Sequence, residues 1–84
     1  MEMDDVILTK AINSWDPVGL LAGGAPDDEY RPEILEIRLE ASACKTEADL
    51  AMMIYKVFSN KMDVKLNHLT CLKQAFIITE QMKR

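Results

Sequence analysis

The chain has 84 residues, of which 49% are apolar and 29% are charged, and its formal net charge is −4. These values are typical of one small globular domain and exclude the compositions of disordered and collagen-like chains. No run approaches the ~20 consecutive apolar residues of a membrane-spanning helix, and the acidic N-terminus lacks the basic start of a secretory signal, so we expect a cytoplasmic protein without membrane contact.

The charge is divided unevenly along the chain. Residues 1–40 carry ten acidic and three basic side chains, a net charge of −7, whereas residues 41–84 have a net charge of +3. The lysines of the second half are widely spaced, and because nucleic-acid binding needs a clustered basic surface, we expect none. Two interpretations stay open: the two halves attract each other or solvate their faces in the fold, or the acidic half attracts a basic protein partner.

The first predicted helix covers residues 4–14. Asp4 and Asp5 lie in its first turn, where carboxylates favour the positive end of the helix dipole. Leu8, Ile12 and Trp15 recur with helical spacing and predict the buried stripe. The helix should end before Pro17, because the residue that precedes a proline is pushed away from helical backbone angles.

Residues 15–30 form the one long irregular stretch of the sequence. They contain the single Trp, all three Gly and two of the three Pro residues. A connection longer than the ~2 to 8 residues usual in helical bundles is either functional or packed over one end of the core.

The second predicted helix begins at Asp27 or Asp28 and ends near Ala43. Its predicted buried stripe consists of Tyr30, Ile34, Ile37 and Ala41, with Leu35 and Leu39 beside it. Pro32 is compatible with a helix only in the first turn, so either residues 27–30 make that turn or the helix begins at the proline. We expect the first alternative.

Two further helices are predicted by their N-caps. Thr46 and Asp49 fit the capping box of a helix over residues 47–62, and Asn67 caps a fourth helix that continues to the C-terminus. The positions expected to face inward on the fourth helix are Leu69, Leu72, Ala75, Phe76 and Met82. We therefore predict a single all-α domain over residues 1–84, a small four-helix orthogonal or partly opened bundle with one long loop between helices 1 and 2.

Several motifs together resemble a known family. They are Trp15-Asp16-Pro17-x-Gly19, Asp28-Glu29-Tyr30, the run from Thr46 to Ala51, and Lys61-Met62-Asp63-Val64. This pattern is similar to small bacterial proteins of domain-of-unknown-function family 1871, also called YugE-like, and related motif pairs resemble immunity factors of bacterial toxin systems. The resemblance implies a compact four-helix domain and supplies no catalytic residues.

Two sets of residues suggest chemistry but lack the full pattern for it. Asp16, Asp27, Asp28 and Glu29 are oxygen ligands for a hard cation, but their spacing does not match a calcium loop, so we interpret them as capping and turn residues and predict no metal or cofactor.

His68 and Cys71 suggest a nucleophilic pair that lacks an orienting group. We therefore expect Cys71 to be a buried apolar residue and both Cys44 and Cys71 to be reduced thiols.

The predicted function is that of a non-enzymatic protein-protein interaction module. The expected partner-binding residues are Trp15, Asp16, Leu20, Leu21, Asp28, Glu29 and Tyr30. An immunity or antitoxin role is one version of this hypothesis, with an unidentified and basic protein as the partner. The alternatives are a structural homodimer that pairs through apolar helix faces, supported by the adjacent Met52 and Met53, and a metal-dependent or cysteine enzyme.

Overall fold

The computed structural model describes residues 1–83 and contains four α-helices, with no strand in that range. These are α1 (Asp5–Trp15), α2 (Arg31–Glu40), α3 (Glu47–Met62) and α4 (His68–Met82), and a 3-10 helix (Ala41–Ala43) follows α2. Each helix packs on the next, and α4 closes the bundle against α1. The predicted all-α four-helix fold and the long first connection, residues 16–30, are confirmed. None of the helices in the described part of the chain is long and apolar enough to cross a membrane.

Polar side chains cap the N-termini of three helices. Asp4 accepts the Ile7 N–H at 2.9 Å, Asn67 accepts the Thr70 N–H at 3.0 Å, and Thr46 forms a complete capping box with Asp49. Each cap satisfies a backbone donor that has no partner inside the helix. The predicted caps at Thr46 and Asn67 are confirmed, and α1 begins one residue later than predicted because Asp4 occupies the cap.

The expected start of α2 was wrong. Residues 27–30 form a turn, in which the Glu29 N–H donates to the Pro26 carbonyl and the Arg31 N–H donates to the Asp28 carbonyl, both at 3.0 Å. The helix begins at Arg31 and places Pro32 at its second position. A proline is accommodated there because the N–H that it lacks would have no intrahelical partner.

The core lies where the four helices meet, and side chains from each of them are fully buried. Tyr30 and Phe58 are the largest of these. The other large buried side chains are Leu8 and Ile12 of α1, Ile34 and Ile37 of α2, Leu50 and Ile54 of α3, and Ile78 of α4.

The orientation of α4 differs from the prediction. Leu69 is 76% exposed and Phe76 is 54% exposed, whereas Cys71, Ala75 and Ile78 are buried. Apolar residues surround most of this helix, so hydrophobic spacing alone does not select one face. The small side chains of Cys71 and Ala75 let α4 pack closely on the bundle, and the predicted inward positions of Leu69 and Phe76 are therefore wrong.

Candidate interaction surface

The loop of residues 16–30 is organised around the carboxylate of Asp16. Asp16 ends α1 in the left-handed backbone region, with φ of 51°, and its N–H donates to the Ile12 carbonyl at 2.8 Å. Its carboxylate accepts hydrogen bonds from the Leu21 N–H at 3.1 Å, the Ala22 N–H at 2.9 Å and the Tyr30 hydroxyl at 2.5 Å. One side chain thus joins the end of α1, the middle of the loop and the residue before α2.

Tyr30 is the second organising residue of the loop. Its side chain is fully buried, and its hydroxyl accepts the N–H groups of Val18 at 3.2 Å and Leu20 at 3.3 Å. Its ring meets Phe58 edge to face, with the centroids 5.9 Å apart. The hydrogen bond from Tyr30 lowers the pKa of the Asp16 carboxylate. The pKa of the Tyr30 hydroxyl is raised, chiefly by burial and then by its hydrogen bond to Asp16. The hydroxyl therefore stays protonated and the carboxylate ionised at neutral pH.

Backbone turns complete the loop. The Gly19 N–H donates to the Asp16 carbonyl at 3.0 Å, and the Ala25 N–H donates to the Leu20 carbonyl at 2.9 Å. Gly19 and Gly24 have φ of 74° and 99°, which side chains disfavour and glycine adopts freely. The glycines of this stretch thus serve its folding rather than a ligand.

The predicted partner-binding residues fall into two groups. Trp15, Leu20 and Leu21 are half-buried and pack against the core, and Trp15 meets Phe58 edge to face at 6.3 Å. Together with Asp16 and Tyr30 they build the loop, and Tyr30 has no surface left for a partner. Asp28 and Glu29 are exposed in the turn before α2. The role of Phe58 as the ring on which both loop aromatics pack was not predictable from local patterns, because that contact joins distant segments.

A surface of mixed character continues from this turn along α2, and we call it the acidic face. Its members are exposed or half-buried: Asp27, Asp28, Glu29, Leu35, Glu36, Leu39 and Glu40. Leu39 is 76% exposed, although Glu33 on the inner side of the same helix is only 5% exposed. The Asn13 side chain donates to the Asp27 carbonyl at 3.0 Å and fixes the turn against α1. The acidic face therefore has an apolar centre, a carboxylate rim and an anchored start.

The ion pair found in the described residues does not neutralise the carboxylates of the acidic face. Arg31 donates to both carboxylate oxygens of Asp5, at 3.0 and 3.1 Å, and to the Thr9 hydroxyl at 3.3 Å. The Arg31 hydrogen bond lowers the pKa of Asp5. This pair lies inside the acidic half, and within residues 1–83 no lysine of the second half forms an ion pair with a carboxylate of the first. The carboxylates of the acidic face thus point their charge to solvent.

Of the carboxylates suggested as cation ligands, Asp16 organises the turn as predicted. The predicted capping of the second helix by Asp27 and Asp28 is wrong, because α2 begins after Tyr30 and has no side-chain cap. Within residues 1–83, no group of three or more His, Cys, Asp or Glu side chains converges as a metal site.

His68 stacks on Tyr55 with ring centroids 4.1 Å apart, and Cys71 is buried, which raises the pKa of its thiol. Cys44 and Cys71 are free and Cys71 is buried, as predicted, and Cys44 is buried as well.

No family model, curated protein or solved structure matches this chain. The resemblance to domain-of-unknown-function family 1871 therefore stays a prediction. The motifs that carry it lie at helix boundaries: Trp15 to Gly19 ends α1, Asp28 to Tyr30 precedes α2, and Thr46 caps α3.

Proposed function

We propose that this protein is a non-enzymatic interaction module whose acidic face binds a basic, partly apolar segment of another protein. The observation that supports this is the exposure of Leu35 and Leu39, which lie one turn apart on the outside of α2. Glu40 and Arg38 are exposed on the same helix, and Asp28 and Glu29 are exposed in the turn that precedes it. An apolar centre with a charged rim is the usual anatomy of a protein-protein interface.

The charge distribution favours a basic partner. The first half of the chain carries a net charge of −7, and the second half does not neutralise it through ion pairs in the described residues. A surface field of one sign accelerates the encounter with a partner of the opposite sign and disfavours partners of like sign. Binding should therefore weaken as the salt concentration rises.

The loop prepares the start of this surface before any partner arrives. Asp16 and Tyr30 fix the segment that leads into the turn, and Asn13 holds the turn itself. A surface that is already ordered loses little conformational freedom on binding. In this proposal Trp15, Leu20 and Leu21 support the loop, and Asp28 and Glu29 contact the partner.

The proposal includes a cellular setting. Two free, buried cysteines are typical of a reducing compartment, which supports the cytoplasm. An immunity or antitoxin role is one version of the proposal, in which the basic partner is a toxin of the same cell.

Affinity capture from native lysate tests the proposal with matched variants. Leu39→Ser removes the more exposed leucine of the acidic face, and Val6→Ser is its control because the two side chains are almost equally exposed, at 76% and 74%, on different helices. Glu29→Lys reverses a rim charge, and Glu2→Lys makes the same charge change at an exposed residue that is not part of the acidic face.

We expect the wild type and both controls to recover the same basic proteins, and Leu39→Ser and Glu29→Lys to lose them. Recovery should also fall as salt is added to the wild-type sample. Equal recovery by all five baits, or recovery only of acidic proteins, would contradict the proposal.

A further inference from the structure

The outer side of α4 exposes apolar side chains that the bundle does not cover. Leu69 is 76% exposed, Phe76 is 54% exposed and Ile77 is 39% exposed. Leu69, Lys73, Phe76 and Glu80 are separated by four, three and four residues, so they form one line along the helix. We call Leu69, Lys73, Phe76, Ile77 and Glu80 the α4 face.

The charges of the α4 face are arranged symmetrically. Lys73 lies three residues before Phe76, and Glu80 lies three residues after Ile77. With a rise of about 1.5 Å per residue, each charge is about 5 Å along the helix from the midpoint of Phe76 and Ile77. A two-fold rotation about an axis that passes through that midpoint, perpendicular to the helix, therefore brings Lys73 to the same level along the helix as Glu80.

We propose that this face pairs with the same face of a second copy, with the two α4 helices antiparallel. In this arrangement Lys73 of each copy faces Glu80 of the other, so two ion pairs flank the centre. Phe76 and Ile77 lie next to their own counterparts at the axis. An interface of this kind is isologous and closed, as in most soluble homodimers.

Charge complementarity selects a second copy as the occupant of this face. A strongly acidic partner would place negative charge against Glu80, and a strongly basic partner would place positive charge against Lys73. The antiparallel second copy places an opposite charge against each of these residues.

The length of α4 limits the area that this dimer can bury. A 15-residue helix is about 22 Å long, so one helical face covers less than the ~800 Å² per partner of a standard interface. The dimer is therefore concentration-dependent. It does not use the acidic face, because α2 packs chiefly on α1 and α3 rather than on α4.

Charge reversal tests the proposal through the pairing rule itself. In the Lys73→Glu variant, the new glutamate of each copy faces Glu80 of the other, so both ion pairs become contacts between like charges. Glu80→Lys replaces both ion pairs with contacts between lysines in the same way. Each single variant should raise the dissociation constant about tenfold or more. The double variant Lys73→Glu/Glu80→Lys restores both pairs and should dimerise like the wild type, and an equimolar mixture of the two single variants should form a heterodimer.

Sedimentation velocity of the full chain from about 1 µM to about 1 mM gives the dissociation constants. Lys56→Glu is the control, because it makes the same charge reversal at an exposed site on α3 and should leave dimerisation unchanged. Circular dichroism verifies that the variants are folded, since the side chains of Lys73 and Glu80 are exposed.

Three results would overturn the dimer: a wild type that is monomeric at every concentration, single variants that associate like the wild type, or a mixture that stays monomeric. Capture of a basic partner by the acidic face is measured separately with Leu39 and Glu29 variants, so failure of either proposal leaves the other standing.

Discussion

The hydroxyl of Tyr30 donates a 2.5 Å hydrogen bond to the carboxylate of Asp16 and thereby joins the end of α1 to the start of α2. The two residues lie at the opposite ends of the long connection, and the backbone N–H groups of Val18 and Leu20 donate to the same hydroxyl. The shape of the loop thus depends on one hydroxyl and one carboxylate, and each can be removed separately.

Tyr30→Phe should destabilise the protein while it leaves the core packing in place. The change removes the donor to Asp16 and the acceptor of two backbone N–H groups in a part-buried site. Loss of partners for such groups costs about 1–3 kcal/mol in the free energy of unfolding. Urea denaturation followed by Trp15 fluorescence measures the difference.

Tyr55→Phe is the matched control, because the hydroxyl of Tyr55 makes no hydrogen bond within residues 1–83. Its free energy of unfolding should stay close to that of the wild type. Equal losses in the two variants would show that the Tyr30 hydroxyl does not stabilise the loop.

Asp16 should make the stability dependent on acid pH. The hydrogen bond from Tyr30 holds the pKa of Asp16 below its ordinary value of 3.8 in the folded protein. A lowered folded-state pKa means that the carboxylate stabilises the fold above pH 3.8 and loses this effect as the pH falls through the lowered value. The free energy of unfolding of the wild type should therefore decrease below about pH 4.

Asp16→Asn removes this titration and keeps a side chain that tolerates the left-handed backbone. We expect lower stability than the wild type at pH 7 and a flatter decline in acid, with the remaining decline contributed by Asp5 and Asp49, whose pKa values are also lowered. Asp28→Asn, which makes the same replacement at an exposed site in the turn before α2, should keep the wild-type stability at pH 7. An unchanged acid profile for Asp16→Asn would refute the linkage.

Thr46→Ala should destabilise α3 at its start. The Thr46 side chain accepts the Asp49 N–H at 3.1 Å, and Asp49 in return accepts the N–H of Thr46 at 3.2 Å. Loss of an N-cap of this kind lowers the free energy of unfolding by about 1 kcal/mol. Chemical denaturation of Thr46→Ala and of the control Thr46→Ser, which keeps the hydroxyl, should show the loss only in the alanine variant.

The thiols should react slowly in the folded protein. Cys71 is fully buried and Cys44 nearly so, and burial raises the pKa of both thiols and lowers the thiolate fraction. With a chromogenic disulfide reagent at pH 8, we expect two thiols to titrate rapidly in denaturant and neither to do so natively. Rapid native labelling of Cys71 in a Cys44→Ser variant would instead indicate a reactive nucleophile.

Local chemistry explains which elements were predictable. The caps at Thr46 and Asn67 and the stop at Pro17 act on backbone groups within a few residues, so they are readable from the sequence. The start of α2 was harder, because Pro32 permits two helix starts and the choice depends on how residues 27–30 turn against Asn13 of another helix.

The candidate site was predictable only in part. The sequence identified the loop and its two exposed carboxylates, Asp28 and Glu29. It placed Tyr30 on the buried stripe of the second helix and also among the partner-binding candidates, and the burial of Tyr30 against Phe58 and its hydrogen bond to Asp16 confirm the first interpretation only. The exposure of Leu39 was equally hidden, because a leucine beside a buried stripe is read as part of the core.

The sequence by itself determined that the protein is a four-helix domain with a long first connection, since helix periodicity, caps and breakers are local properties of the chain. Only the tertiary structure decided which side of α4 faces solvent and how far Leu39 projects from α2. The fourth helix carries apolar residues on more than one side, and the close packing permitted by Cys71 and Ala75 selects the buried one. The α4 face is the surface that this selection leaves exposed, whereas the buried stripe of α2 was predicted from the sequence.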